Sequence, residues 1–451
     1  MNALTFVTFA LATAAVALIT WRWARRLAIS DDATEEYFTG GRALSWPVVA
    51  GSLLLTNLST EQLVGLNGDI FKDGALVGIA WEALAAFAMI ATALVFLPRY
   101  LASGFTTTPA FLEKRFDKTT RSMVSGLFLA GYVTVLLPVV LVTGSSAIIG
   151  MFDLDVPFWL VATGIGVLGS GYAIVGGLKS VAISDTLNGI GLLVAGLAIP
   201  ALGLAALGDG SMTAGLSSIL ERHPESLRVL TETNAAGQAV TVPWPTLLTG
   251  MMFIQIFYWS TNQVIVQRAM AARSLAEGQK GVLFASSMKL VGPLMLCLPG
   301  LLALQMMGEL SFNGAEMLRG AIASATDPAQ LATLAALIPG AGSGASKDAL
   351  LAMLDGGTSV TLTLEAAREA GLSVNSRVYG LMVRHVLPDW SIGLFLAVLV
   401  GSILSSFNSA LNSASTLFSL QFYKGYIARD AEPVDVVRAG KRFGTLIAVA
   451  A

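Results

Sequence analysis

The chain has 451 residues, 55% hydrophobic and 12% charged, with a formal net charge of −2. An average soluble domain carries about 25% charged residues, so this chain has too little polar surface to coat a water-soluble globule. No nucleic-acid partner is expected, and the partner that the composition does imply is a lipid bilayer.

The apolar residues come in blocks long enough to cross a membrane. Taken in chain order, spans are predicted near 3–21, 47–65, 75–98, 122–150, 157–176, 181–207, 246–266, 281–306 and 391–420, and a tenth is expected to begin near Phe443 and to be cut by the end of the chain. The first block lacks a basic lead and a small-residue cleavage site, which fits a membrane helix better than a removed leader. "TTTPAFLEKRFD" between the third and fourth spans reads as a surface helix started by Thr and Pro. The region 308–390, rich in Gly, Ser and Ala, reads as an external loop with short amphipathic helices.

Sidedness follows from Lys and Arg, which stay on the cytoplasmic side. Arg22, Arg25, Arg26 and Arg42, then Arg99, Lys114, Arg115, Lys118 and Arg121, then Lys179, Arg268, Arg273 and Lys280, and finally Lys424, Arg429, Arg438, Lys441 and Arg442 fall in one alternate set of connections. The short connections of the other set hold Lys72, Arg222 and Arg228. This places the N-terminus outside and all the predicted spans across the membrane.

Chemistry then rests on the polar residues inside the spans, which are functional candidates by default. The ionisable ones are Glu61, Glu82, Asp185 and Lys289. The plainer alternative makes Glu82 and Lys289 a structural pair and puts Glu61 and Asp185 near a membrane edge. "TNLSTEQ" (56–62) sets six polar side chains in seven positions, too many for one helix face, and is expected to break its helix where the backbone lines a cavity. Freed carbonyls there could hold a cation, and Asn57, Ser59 and Gln62 a polar solute. In "GSILSSFNSALNSAS", Ser402, Ser405 and Ser406 share a helix face and offer hard oxygen ligands for an alkali cation, although such a face is also a common packing surface. "IQIFYWSTNQVIVQR" (254–268) brings Gln255, Tyr258, Trp259, Asn262 and Gln263 to mid-span, which suits a sugar ring with apolar faces and a hydroxyl rim; an interfacial aromatic belt is the alternative. No Cys/His cluster, phosphate-cradling loop or nucleophile motif occurs, Cys297 is alone, and His223 and His385 fall in outer connections, so no enzyme is expected.

With the first span set aside, the five spans of 47–207 open on the "TNLSTEQ" break, and the segment from 246 onward opens on "QIFYWSTNQ" with inverted topology. Matched interrupted helices opening two inverted halves point to the midplane site of a secondary transporter.

At these residues the chain resembles the solute:sodium symporter family, through "EEYFTGGR", "NLSTEQLVGLNG", "TTPAFLEKRFD", "YAIVGGLKSVAISD", "FYWSTNQVIVQRAMAARSLAEGQKG", "LPG" and "SSFNSALNSASTLF", in order. The resemblance implies an all-α polytopic membrane protein with a five-helix inverted-repeat core of the leucine-transporter kind. That core would have an extra N-terminal helix (3–21), a first repeat at 47–207 and an incomplete second repeat at 246–451 containing the outer loop 308–390. It further implies a sodium ion held by the carbonyls of Leu55, Leu58 and Ser402 and the hydroxyls of Ser405 and Ser406, with Asp185 on the ion's route or at a second sodium. A sugar would meet Gln62, Glu82 and Lys289, with Asn57 nearby and Gln255 at a contact position. Tyr258 would stack as the inner gate, supported by Trp259, and Trp81 would stand at the outer gate. Gln255 and Ala85 stand where sugar-carrying members have Asn and Ser, which leaves the identity of the sugar open.

The expected function is sodium-coupled import of a neutral monosaccharide across a bacterial inner membrane, without an obligate protein partner. A polyol, nucleoside, carboxylate or amino acid as solute is the alternative, and a sensor or channel-like protein on the same fold is a more distant one.

Overall fold

The computed structural model describes residues 3–27, 31–152, 154, 156–222, 224–342 and 344–451. His223 lies outside the described residues.

The chain is almost entirely helical. The first helix, α1 (Ala3–Ala24), is apolar on all sides and packs on two later helices while leaving Phe6, Leu11 and Trp21 outward. The first interrupted helix consists of α2 (Trp46–Asn57) and α3 (Thr60–Asp73). α4 (Gly78–Ser103) and α5 (Lys118–Phe152) follow. Between them, Thr107 caps the short helix Thr108–Arg115 by accepting the Ala110 N–H, with Pro109 in the first turn, as its sequence predicts.

The apolar stretch Phe158–Leu207 would be about 75 Å long if straight, more than twice the hydrocarbon thickness. It folds back at Gly177 (φ 59°, ψ −164°), dividing α6 (158–175) from α7 (177–207). A Cβ at Gly177 would lie 2.5 Å from the Tyr37 carbonyl oxygen, so both the left-handed backbone and the space require glycine.

The second interrupted helix comprises α8 (Met252–Ser260) and α9 (Gln263–Met270), followed by α10 (Leu275–Gln305), α11 (Asp389–Ile427) and α12 (Pro433–Ala450). α12 starts ten residues before the apolar block predicted at Phe443, because Pro433 sets its first turn and Val436, Gly440 and Gly444 bury one face.

The interrupted helix α2/α3 lies at the centre: α2 packs on α7, α10, α11 and α9, while α10 also covers α4 and α11 also covers α7. The region 308–390 carries the expected short helices, and also an antiparallel pair of strands, β1 (Ser311–Asn313) and β2 (Thr361–Thr363), which pairs buried Phe312 with Leu362. Three-residue strands are too short to display an alternating pattern, so the all-α expectation omits them.

Two of the charges used for sidedness are buried inside the bundle. Arg268 is 1% exposed within α9, and Lys179 is buried beside Glu36 at the start of α7. A cation with a carboxylate partner is stable inside the bundle, so only the exposed charges report sidedness. Arg99, Lys114, Arg115, Lys118 and Arg273 remain exposed.

Candidate functional site

The helix α2 ends because the Ser59 amide, which would continue the ladder onto the Leu55 carbonyl, donates to the Asn57 carbonyl instead (2.8 Å). Leu58 and Ser59 leave the helical conformation, and Ser59 Oγ then caps α3 by accepting the Gln62 N–H at 3.3 Å. The second break has the same device: Asn262 leaves the helix and its Oδ1 accepts the Val264 N–H at 3.1 Å. The polar residues that make each break therefore also restart the helix.

A cavity of about 700 Å³ reaches from Thr241 and Val242 of the 209–245 connection down to the two breaks. Asn57, Gln62, Trp81, Gln255, Tyr258 and Ser406 all face it, so most of the predicted solute and gate residues come together on one wall and floor. Glu61 and Asp69 also face it, and among the described residues no lysine or arginine does. Glu61 is held by the Thr143 hydroxyl at 2.9 Å.

Behind this wall, Lys289 Nζ on α10 lies 2.8 Å from Glu82 Oε2 on α4, with both side chains at most 1% exposed. Lys289 also donates to Asn57 Oδ1 and sits 5.4 Å from the centre of the Trp259 ring. Glu82 Oε1 accepts from Gln62 Nε2 at 2.6 Å, while Gln62 Oε1 is buried without a hydrogen-bond partner. Lys289 thus has a counter-ion and an amide acceptor, which makes its burial tolerable. Trp259 packs edge-on against Tyr258 and donates from Nε1 to Gln255 Oε1 at 3.1 Å, fixing the amide that the sequence assigns to solute. Ala85 is buried.

At the serine face of α11, Ser402 Oγ donates to the Leu58 carbonyl at 2.7 Å, joining α11 directly to the first break. Ser405 Oγ and Ser406 Oγ are buried and carry no hydrogen bond. Leu55 is buried one turn before the break. Two orphaned hydroxyls on the helix that Ser402 joins to the first break, where the Leu55 carbonyl has lost its Ser59 partner, are neutral, hard oxygens of the kind that fit an alkali cation, because leaving them unsatisfied is costly.

Asp185 lies inside the bundle. It is 1% exposed, accepts the Ser52 hydroxyl at 2.7 Å and pairs with Arg268, whose Nη2 is 3.4 Å from Oδ2. The sequence reading misses Arg268, Ser52 and Ser409 as site residues. One signal existed: Asp185 inside an apolar helix demands a cation, and "VIVQRAM" continues an apolar face through Arg268.

Interrupted helices that meet at a polar cavity, beside a buried charge pair and a serine face with unpartnered hydroxyls, have the architecture of a secondary transporter. A model of the sodium:solute symporter family matches residues 37–354 and 356–450, and the chain belongs to that family. It is a membrane transporter rather than an enzyme, and sodium is its coupling ion. The chain is 37% identical over its whole length to an uncharacterized symporter, YidK, of Escherichia coli (strain K12), covering 68% of that protein. It is 28% identical over 91% of its length to the sodium/glucose cotransporter of Vibrio parahaemolyticus, covering 67% of it, and 26% identical over 92% of its length to sodium/myo-inositol cotransporter 2 of Homo sapiens, covering 56% of it. The chain therefore spans about two thirds of these bacterial relatives and little more than half of the human one. Among solved structures, the substrate-bound outward-open state of a Na+-coupled sialic acid symporter superposes with a TM-score of 0.74 at 16% identity, over 99% of this chain and 80% of that one, which is a likeness of fold.

Proposed function

We propose that the protein imports a neutral polyhydroxylated solute, a monosaccharide of the glucose or galactose kind, in symport with sodium by alternating access. The observation that carries this reading is the neutral cluster of Asn57 and Gln62 on the cavity wall with Glu82 and Lys289 behind it, and the buried Gln62 carbonyl lacking a donor that a sugar hydroxyl would supply. The opposite charges of Glu82 and Lys289 cancel, and Glu61 and Asp69 in the cavity oppose a carboxylate solute. Tyr258 on the floor and Trp81 on the wall offer aromatic faces to the sugar ring and act as inner and outer gates.

Sodium is held by the Leu55, Leu58 and Ser402 carbonyls and the Ser405 and Ser406 hydroxyls, drawing the first break and α11 together and assembling the solute wall next to it. Asp185 lies on the ion's way inward, its charge already balanced by Arg268. The fold is read as a five-helix repeat at 47–207 and an inverted, incomplete second repeat at 246–451 behind the extra helix 3–21. The N-terminus is outside a bacterial inner membrane, and the cavity therefore opens outward through the 209–245 connection. Uphill uptake draws on the sodium gradient and the membrane potential, worth about 2.3 kcal/mol per charge per 100 mV. A neutral polyol is the second reading, favoured by the same uncharged hydrogen-bonding wall and by the likeness to a sodium/myo-inositol cotransporter.

The test is uptake into proteoliposomes under an imposed sodium gradient, with labelled glucose, galactose, myo-inositol and glucuronate. Sodium-dependent uptake of a hexose, absent for glucuronate, supports the proposal. Uptake of myo-inositol alone replaces it by the polyol reading, and uptake of glucuronate overturns both.

A further inference from the structure

A second cavity, of about 550 Å³, lies outside the solute path between α4, the helix Thr108–Arg115, α5 and the break between α8 and α9. Its walls are the rings of Phe96, Tyr100, Phe111, Phe128 and Phe257, with Tyr100 edge-on to Phe111 at 5.1 Å and Phe128 tilted against Phe257 at 6.1 Å. At its mouth Val95 and Phe257 are 44% and 51% exposed, beside exposed Leu94, Leu127 and Phe253 on the apolar outer surface of the spanning helices, the kind of surface that lipid covers.

Arg99 lines the same slot. It is exposed, its Nη1 donates to the Val95 carbonyl, and among the described residues no carboxylate lies within 4 Å of it. Exposed Lys114 and Arg115 end the neighbouring short helix, and this end of the bundle carries the basic connections assigned to the cytoplasm. An unpaired guanidinium at the rim of an apolar slot, at the basic end of the bundle, has the fork geometry for a phosphate and the local charge to retain an anionic one.

We propose that this slot binds an anionic phospholipid of the cytoplasmic leaflet, with one acyl chain against Phe96, Phe111 and Phe128 and the headgroup phosphate on Arg99. The slot wall also holds the second break: Tyr100 donates from its hydroxyl to the Ser260 carbonyl at 2.8 Å, and the Thr108 N–H donates to Gln263 Oε1 at 2.9 Å. The bound lipid therefore buttresses the hinge between α8 and α9. Binding itself is independent of which solute is carried.

The experiment is native mass spectrometry of the full chain in detergent, titrated with phosphatidylglycerol, phosphatidylcholine or glycerol 3-phosphate. Phosphatidylglycerol is expected to be retained at least about fivefold more tightly than phosphatidylcholine, with glycerol 3-phosphate not retained. Arg99→Gln is expected to abolish the preference, Arg99→Lys to keep part of it, and Arg429→Gln, a cation that does not line the slot, to keep all of it. Equal retention of the two phospholipids, a preference undiminished in Arg99→Gln, or tight glycerol 3-phosphate binding would overturn the proposal. So would a dimer that phospholipid dissociates, which would assign the slot to a second copy of the chain.

Discussion

Arg268 and Asp185 form a buried ion pair at 3.4 Å, and Ser52 links the two, accepting from Arg268 Nε at 2.8 Å and donating to Asp185 Oδ2 at 2.7 Å. The same guanidinium donates to the Val264 carbonyl and to Ser409 Oγ. One side chain thereby ties α9, part of the second interrupted helix, to α2, part of the first, and to α7 and α11. Each charge compensates the burial of the other.

Removing one member leaves the other buried and uncompensated. Arg268→Ala and Asp185→Asn are each expected to destabilise the protein by about 3–5 kcal/mol, read by thermal unfolding in detergent. The double variant Asp185→Asn, Arg268→Gln should cost less than the sum of the two, because no isolated charge remains. Strict additivity would show that the pair is not coupled.

Ser406 Oγ has no hydrogen bond to lose, so Ser406→Ala is expected to leave stability without sodium nearly unchanged, and Ser405→Ala to cost only its contact with Asp185. If each coordinates sodium, its loss costs about 1.5–3 kcal/mol of binding, which raises the half-saturating sodium concentration roughly tenfold to a hundredfold. Sodium-induced stabilisation of wild type and variants measures this. Because Arg268 already balances Asp185, wild-type binding should be hyperbolic in sodium; a sigmoidal dependence would place a second ion at Asp185.

Lys289→Ala is expected to abolish solute uptake and to destabilise the bundle by about 3–5 kcal/mol through the unpaired, buried Glu82. Adding Glu82→Gln to Lys289→Ala should recover most of the stability and none of the uptake. Normal uptake by Lys289→Ala in the proteoliposome assay would remove the pair from the solute site.

Gly177→Ala tests the reversal between α6 and α7. With φ at 59° and the Tyr37 carbonyl 2.5 Å from the added Cβ, a loss of at least about 1–3 kcal/mol is expected. A melting temperature equal to that of wild type would mean that the turn relaxes without strain.

The long apolar blocks, the breaks at Leu58–Ser59 and Thr261–Asn262 and the cap of the helix Thr108–Arg115 were all legible in the sequence, because each is a local effect. A run of apolar residues needs lipid, a dense polar run cannot fit one helix face, and Ser, Thr or Asn at a helix start satisfies its own amides. The serine face of α11 was legible for the same reason, since residues three and four apart share a face.

What the tertiary structure alone decided is which polar groups meet. Arg268 and Asp185 are 83 positions apart and Lys289 and Glu82 are 207 apart, so no local period links them, and Arg268 read as a loop charge until its carboxylate appeared beside it. The orphaned Gln62 carbonyl, the unpartnered Ser405 and Ser406 hydroxyls and the aromatic slot beside Arg99 arise in the same way. Burial and hydrogen-bond satisfaction depend on all the neighbours of an atom at once, and only the packed bundle brings those neighbours together.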